Sequence, residues 1–142
     1  MMAAPALPKW IFFYGCFLAV IGFATAMIGL FAPTMFFNDF PDFDQWEEIS
    51  FVTNTFGIRN LAMCAALVTA LWLRAPAAIA VAFGMRSLTE LGDILNTVFT
   101  GHGTMGAPIP ALLIGGFALF VIPEALAARW GMRATLADRH RS

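Results

Sequence analysis

The sequence predicts an all-helical fold: a bundle of four helices in one membrane domain, with both termini on the cytoplasmic side. Composition is the first indication, because 60% of the 142 residues are hydrophobic and only 12% are charged. A soluble domain carries about 25% charged residues. The second indication is that the apolar residues form four long runs. Each run is close to the roughly 20 residues that a helix needs to cross a bilayer.

The four apolar runs define four predicted spans. They cover residues 9–31, 51–73, 75–99 and 107–128. Helices are favoured over strands because an open sheet would leave backbone groups unpaired in lipid. Pro76 opens the third span, where a missing N–H loses no partner. Pro123 lies inside the fourth span and predicts a kink near the end of that helix.

Basic residues indicate how the spans are oriented. With four spans, one side of the membrane holds Lys9, Arg74, Arg129, Arg133, Arg139 and Arg141. The opposite side holds the segment 38–48, NDFPDFDQWEE, which has five carboxylates and no basic residue. Because cytoplasmic loops are enriched in Lys and Arg, we expect a bacterial inner-membrane protein with a basic cytoplasmic tail at 129–142. That tail suits anionic lipid headgroups.

Small residues form a seam along the first span. Its members are Gly15, Ala19, Gly22, Ala26 and Gly29. Small residues let helix backbones approach closely in a membrane, where no hydrophobic effect drives association. We favour packing inside the bundle, and a homodimer contact through the same seam is the alternative. The spacing leaves the oligomeric state open.

Charged residues in the middle of the third span are the most informative feature. Arg86, Glu90 and Asp93 lie at i, i+4 and i+7 and so share one helix face, which Asn96 extends. A lone charge at the bilayer centre costs at least about 2.5–3.5 kcal/mol on insertion scales. This face must therefore point into the bundle, where charges can be paired.

The second span supplies polar partners for that face. Arg59 and Asn60 lie in the run FGIRNLAM. At 1.5 Å per residue, Arg59 is level with the gap between Glu90 and Asp93. We therefore expect Arg59 to pair with a carboxylate of the third span and Arg86 to pair with Glu90. Two arginines and two carboxylates would then cancel in charge.

Two interpretations of this cluster are open. It could be an ion-pair network that only fixes helix register, or a polar pocket that binds a ligand. Intramembrane ionisable groups tend to mark substrate or proton pathways, and buried ion pairs add little stability in soluble proteins. The sequence therefore favours a pocket. Its predicted ligand-binding residues are Arg59, Asn60, Arg86 and Asn96. The predicted acid–base residues are Glu90 and Asp93.

Other polar residues give weaker signals. The outer loop is predicted at residues 32–50, and the segment 34–51, which overlaps most of it, mixes acidic and aromatic residues. This mixture predicts an interfacial anchor or a lid over the cluster. His102 is a lone histidine in the loop 100–107, with no metal-ligand spacing, so no metal site is predicted. Glu124 is expected at the cytoplasmic interface, paired with Arg129. The net charge of −1 gives no basic field for nucleic acid.

With these features, the chain resembles the DoxX-like group of small bacterial four-helix membrane proteins. The resemblance rests on four spans in about 140 residues, on Arg59 and Asn60, and on the face formed by Arg86, Glu90 and Asp93. It is architectural and covers most of the chain. Some members of that group are associated with quinone-linked oxidoreductases, which implies a hydrophobic small molecule or a partner protein.

The function that these residues predict is binding of an amphipathic small molecule such as a quinone, an isoprenoid or a lipid headgroup. Acid–base chemistry on that molecule is an open question at this stage, and no cofactor is assigned beyond the quinone or lipid itself. One alternative is a non-enzymatic accessory subunit of a larger membrane complex. A second is a small proton-coupled transporter, which with four spans would have to work as an oligomer.

Overall fold

The computed structural model describes residues 6–32, 46–100 and 109–140, and nearly all of these residues are helical. The helices are α1 (Lys9–Phe31), α2 (Trp46–Leu73), α3 (Pro76–Thr100), α4 (Ile109–Gly116) and α5 (Ile122–Arg139). A π-helical segment, Phe117–Val121, joins α4 to α5 without a break. The described parts of the chain contain no strand, and the predicted all-helical class is confirmed.

The helix bounds agree with the predicted spans at α1 and α3 and differ at the other two. α2 begins at Trp46, so residues 46–50 of the predicted outer loop are helical. α5 continues to Arg139, so most of the predicted tail 129–142 is helical as well. The reason is that residues 129–139 are mostly good helix formers without a proline, and Gly131 and Ala134 are buried.

Within the described residues, three helical stretches are long and apolar enough to cross a membrane. They are Lys9–Phe31, Ser50–Leu73 and Leu113–Arg139. The helix α3 is long enough, with 25 residues, but it carries Arg86, Glu90 and Asp93 in its middle. The structure therefore supplies three spans by length and composition, together with a fourth long helix that is amphipathic.

The helices pack mainly as two pairs, α1 with α2 and α3 with α5. A tight turn at Arg74 joins α2 to α3. Arg74 has φ 51° and its N–H donates to the Ala70 carbonyl, so it caps α2 in the left-handed conformation that usually favours glycine. Pro76 then opens α3, because the first turn of a helix tolerates proline.

Close packing of α1 on α2 uses the predicted seam. Gly15, Gly22, Ala26 and Gly29 are buried. A Cβ added at Gly29 would lie 2.9 Å from the Thr53 carbonyl oxygen of α2, so the two backbones approach too closely for a side chain there. The prediction that the seam packs inside the bundle is confirmed. In this single chain α2 covers the face, and the oligomeric state stays a prediction.

The hydrophobic core lies toward the end of the bundle where α2 turns into α3. Its buried residues are Ile11, Leu18, Leu67, Ala70, Leu71, Ile79, Ala82, Phe83, Ala127 and Ala128. α5 joins this core through Gly131, where an added Cβ would lie 2.5 Å from the Pro76 carbonyl oxygen. Lys9, Arg74 and Arg129 therefore lie toward the same end, as the positions of the basic residues predict.

The opposite end of the bundle includes segments outside the described residues. The predicted anchor or lid covers residues 34–51, of which 34–45 lie outside the described parts and 46–51 belong to α2. His102 also lies outside the described parts. Within those parts, large apolar side chains toward this end are exposed, among them Phe51, Val98 and Phe99. The charged cluster lies between this end and the hydrophobic core.

Candidate functional site

Arg86, in the middle of α3, is the centre of the charged cluster. It is only 3% exposed. Its Nη2 donates to Glu90 Oε1 at 3.1 Å, and its Nε donates to Glu124 Oε1 at 2.9 Å. The predicted Arg86–Glu90 pair, at i and i+4 on one helix, is confirmed. Two carboxylates fix a planar guanidinium in orientation, and Nη1 is the guanidinium nitrogen that has no hydrogen-bond partner among the described residues.

Glu124 was placed wrongly by the sequence-based interpretation. It is fully buried and bonded to Arg86 across the α3–α5 contact, whereas Arg129 is exposed. The prediction failed because the fourth span was taken to end at 128, and α5 in fact continues to Arg139. The signal that could have found Glu124 was its position as the lone carboxylate of an apolar run, which in membranes indicates a functional group by default.

Arg59 and Asp93 form the second ion pair of the cluster. Arg59 Nη1 and Nη2 donate to Asp93 Oδ1 and Oδ2 at 3.1 and 2.7 Å, respectively. The predicted Arg59–carboxylate pair is confirmed, and the structure identifies the carboxylate as Asp93, which the depth count left open between Glu90 and Asp93. The two side chains are 37% and 46% exposed, and the Arg59 guanidinium lies 5.1 Å from the centre of the Phe56 ring. This pair is the accessible edge of the cluster.

Asn60 and Gly22 lie on the inner side of the same cluster. Asn60 is 6% exposed and is one turn before Cys64 on the buried face of α2. A Cβ added at Gly22 would lie 2.6 Å from Cys64 Sγ and 3.5 Å from Arg86 Nη1. Gly22 is therefore the point where α1 meets both α2 and the arginine of α3. Asn96, by contrast, is exposed near the end of α3.

The π-helical segment accounts for the position of Glu124. Pro123 has no N–H to donate to the Leu119 carbonyl four residues earlier. Tyr14 OH of α1 donates to that carbonyl at 2.7 Å, and Ser87 Oγ of α3 donates to the Val121 carbonyl at 3.2 Å. Side chains of two other helices thus satisfy backbone groups at the irregular turn. π-Helical turns are common at functional sites, and this one directly precedes the buried carboxylate.

Several polar atoms of the cluster are buried without a hydrogen-bond partner among the described residues. They are Arg59 Nε, Asn60 Nδ2, Arg86 Nη1 and Glu124 Oε2. An unpaired buried polar group costs about 1–3 kcal/mol, and native structures contain few of them. Four such atoms in one cluster are therefore a concentration that internal packing does not explain.

The charge of the cluster differs from the predicted balance. The sequence predicts two arginines and two carboxylates, and the structure adds Glu124 as a third carboxylate. The formal charges of Arg59, Arg86, Glu90, Asp93 and Glu124 sum to −1. Arg86 is shared by two carboxylates, whereas Asp93 has an arginine of its own.

The fold and the cluster together define a helical protein of membrane type with buried, incompletely paired charges between its helices. No group of three or more His, Cys, Asp or Glu side chains suited to a metal ion occurs in the described segments. No protein-family model, no curated protein and no solved structure matches this chain.

Proposed function

We propose that this chain is a four-span protein of a bacterial inner membrane, with both termini in the cytoplasm and a ligand site inside the membrane. Three apolar helices support the spans directly. α3 joins them as a span because its charged residues pair with α2 and α5, and paired charges can be held inside a bundle. The basic end formed by Lys9, Arg74 and Arg129 supports the orientation.

The ligand is the polar head of a lipophilic small molecule, such as a quinone, an isoprenoid or a lipid headgroup. The single observation that carries this proposal is the set of buried polar atoms without partners around Arg86. A ligand that entered past the partly exposed Arg59–Asp93 pair would meet these atoms. Its apolar tail would remain among the exposed apolar side chains of α2 and α3, which include Phe51 and Leu95.

The roles of the carboxylates follow from how each is bonded. Both oxygens of Asp93 accept hydrogen bonds from Arg59, so Asp93 holds Arg59 in place. Glu90 and Glu124 each offer one oxygen to Arg86, and each has a second oxygen for other chemistry. If the bound molecule exchanges a proton with the protein, Glu90 and Glu124 are the better placed donors and acceptors.

Native mass spectrometry of the gently extracted protein tests this proposal, with identification of every small molecule that co-purifies. We expect a stoichiometric lipophilic ligand in the wild type and its loss in Arg86→Gln and Glu90→Gln. Thr135→Ala is the matched control, because Thr135 Oγ1 only donates to the Gly131 carbonyl of its own helix. A retained ligand in both cluster variants, or a wild type that carries only a protein partner, would refute the pocket.

Labelling with a membrane-impermeant maleimide tests the topology. In a background with Cys16→Ala and Cys64→Ala, we expect Asn96→Cys to react in intact spheroplasts. Arg133→Cys should react only after the membrane is permeabilised. The reverse pattern, or labelling of both positions from one side, would contradict the proposed four spans with cytoplasmic termini.

A further inference from the structure

We infer that residues 129–136 of α5 bind the phosphate headgroup of an anionic phospholipid, at the end of the bundle where α2 turns into α3. This surface is separate from the charged cluster, so the inference goes beyond the ligand site proposed above. It assigns to the protein a contact at the surface of the membrane, directed at the negative charge of the lipid.

Four basic side chains at this end are exposed and have no ion-pair partner. They are Lys9, Arg74, Arg129 and Arg133, and none of them forms an ion pair with a residue that the structure describes. Asp138 is the one acidic residue of this end within the described segments. An excess of exposed positive charge attracts an anionic surface, and each Lys or Arg adds to the attraction of a bilayer that contains anionic lipids.

The exposed face of the last turns of α5 alternates basic and apolar side chains. Arg129, Met132, Arg133 and Leu136 lie at i, i+3, i+4 and i+7 and so share one helix face. Met132 and Leu136 are each 54% exposed. Helices that lie at a membrane surface combine apolar side chains for the acyl boundary with basic side chains for the headgroups, and this face has both.

The opposite face of the same turns holds α5 against the start of α3. Gly131 and Ala134 are buried, and an added Cβ at Gly131 would lie 2.5 Å from the Pro76 carbonyl oxygen. Because this part of α5 is packed, Arg129 and Arg133 are held one helical turn apart, with about 6 Å between their Cβ atoms. Two guanidinium groups at this spacing can donate to different oxygens of one phosphate.

The length of the last helical stretch places this face among the headgroups. Residues 109–139 are continuously helical and span about 46 Å at 1.5 Å per residue, whereas the hydrocarbon core is about 30 Å thick. Trp10 and Trp72 lie at the same end and are 47% and 82% exposed, and tryptophan is enriched at the membrane–water boundary. Since lipid phosphates surround the protein at this depth, the position favours a lipid over a soluble acidic partner.

Quenching of tryptophan fluorescence by brominated lipids tests the inference in the full chain. Trp130 is kept as the reporter because it lies within the proposed surface, and Trp10, Trp46 and Trp72 are replaced with phenylalanine. The protein is reconstituted in phosphatidylcholine mixed with brominated phosphatidylglycerol or with brominated phosphatidylcholine. We expect the phosphatidylglycerol to bind at least about threefold more tightly at low salt, and we expect this preference to fall as salt is added.

Two double variants and a matched control assign the preference to the arginines. Arg129→Gln with Arg133→Gln should bind the two lipids equally, and both residues are exposed, so the fold is not at risk. Arg129→Lys with Arg133→Lys keeps the positive charges and should retain most of the preference. Thr135→Ala is the control, because its hydroxyl donates to the Gly131 carbonyl of its own helix and its loss changes no charge.

Three outcomes would overturn the inference. They are equal binding of the two lipids by the wild type, a preference that persists in the double glutamine variant, and an equal loss in Thr135→Ala. Loss of the preference when inorganic phosphate is added would also overturn it, since the surface would then bind a free anion. A phospholipid that is lost with Arg129 and Arg133 but retained in Arg86→Gln belongs to this surface, so the result is independent of the ligand site in the cluster.

Discussion

Arg86 and Glu124 join α3 to α5 through a hydrogen bond of 2.9 Å between Nε and Oε1, although they are 38 residues apart in sequence. Both are buried, and Glu90 completes the arrangement from the next turn of α3. The geometry keeps Nη1 of the same arginine directed away from the two carboxylates and toward Gly22 of α1. One ion pair thus fixes both the packing of two helices and the direction of a donor.

Removing Glu124 should destabilise the bundle strongly. Glu124→Leu leaves Arg86 buried with Glu90 alone, and loss of one partner of a buried pair costs about 3–5 kcal/mol. We expect a loss toward the lower end of that range because Glu90 remains. The free energy of unfolding, measured by SDS titration in mixed micelles, checks this.

The control for Glu124 is the double variant Arg86→Met with Glu124→Leu. Replacing both charges with apolar groups removes the uncompensated arginine, and such replacements are often neutral or stabilising. The double variant should therefore recover most of the stability that Glu124→Leu loses. Losses that simply add would show that the two residues are not coupled.

Disrupting the pair between Arg59 and Asp93 should cost much less. Their side chains are 37% and 46% exposed, and accessible ion pairs are worth about 0.2–1 kcal/mol. Arg59→Ala is expected to lose less unfolding free energy than Glu124→Leu does in the same titration, because the Asp93 carboxylate left behind is partly exposed, whereas the Arg86 that Glu124→Leu leaves behind is buried. A loss as large as that of Glu124→Leu would mean that this pair is shielded from water.

Tyr14→Phe tests whether the π-helical turn depends on α1. The variant removes the hydroxyl that donates to the exposed Leu119 carbonyl, and a hydrogen bond of this kind contributes about 0.5–1.5 kcal/mol. Pro123→Ala restores the N–H that could serve this carbonyl, so the cost of Tyr14→Phe should fall in that background. A double-mutant cycle measures the difference, and an unchanged cost would contradict the link to Pro123.

Two glycines of the last helical stretch should respond in opposite directions to alanine. At Gly131 the added Cβ would lie 2.5 Å from Pro76 O and 2.7 Å from Ala80 N, and backbone atoms cannot move aside cheaply. We expect Gly131→Ala to lower the free energy of unfolding by about 1–3 kcal/mol. At Gly115 nothing lies within 4 Å, so alanine should gain up to about 1 kcal/mol from helix propensity. Thermal unfolding in detergent compares the two, and equal effects would refute the close α3–α5 contact.

The sequence by itself determined the features that follow from residue spacing within one helix, or from residue depth in two helices joined by a short turn. Continuous apolar runs predicted the helices, since lipid leaves the backbone few other ways to satisfy its hydrogen bonds. Spacing of four residues predicted Arg86 with Glu90. The short turn at Arg74 allowed depth to be counted along α2 and α3, and that count placed Arg59 level with Glu90 and Asp93, between which the structure selects Asp93.

Only the tertiary structure decided the features that depend on contacts between distant helices. Glu124 reaches Arg86 because α5 packs on α3, and the π-helical segment before Pro123 changes the register that a count of 100° per residue assumes. The seam of α1 could face another copy or its own chain by spacing alone, and packing on α2 decided it. The charge of −1 and the unpartnered donors of Arg86 and Asn60 exist only once these helices meet, because a sequence does not state which side chains share a buried space.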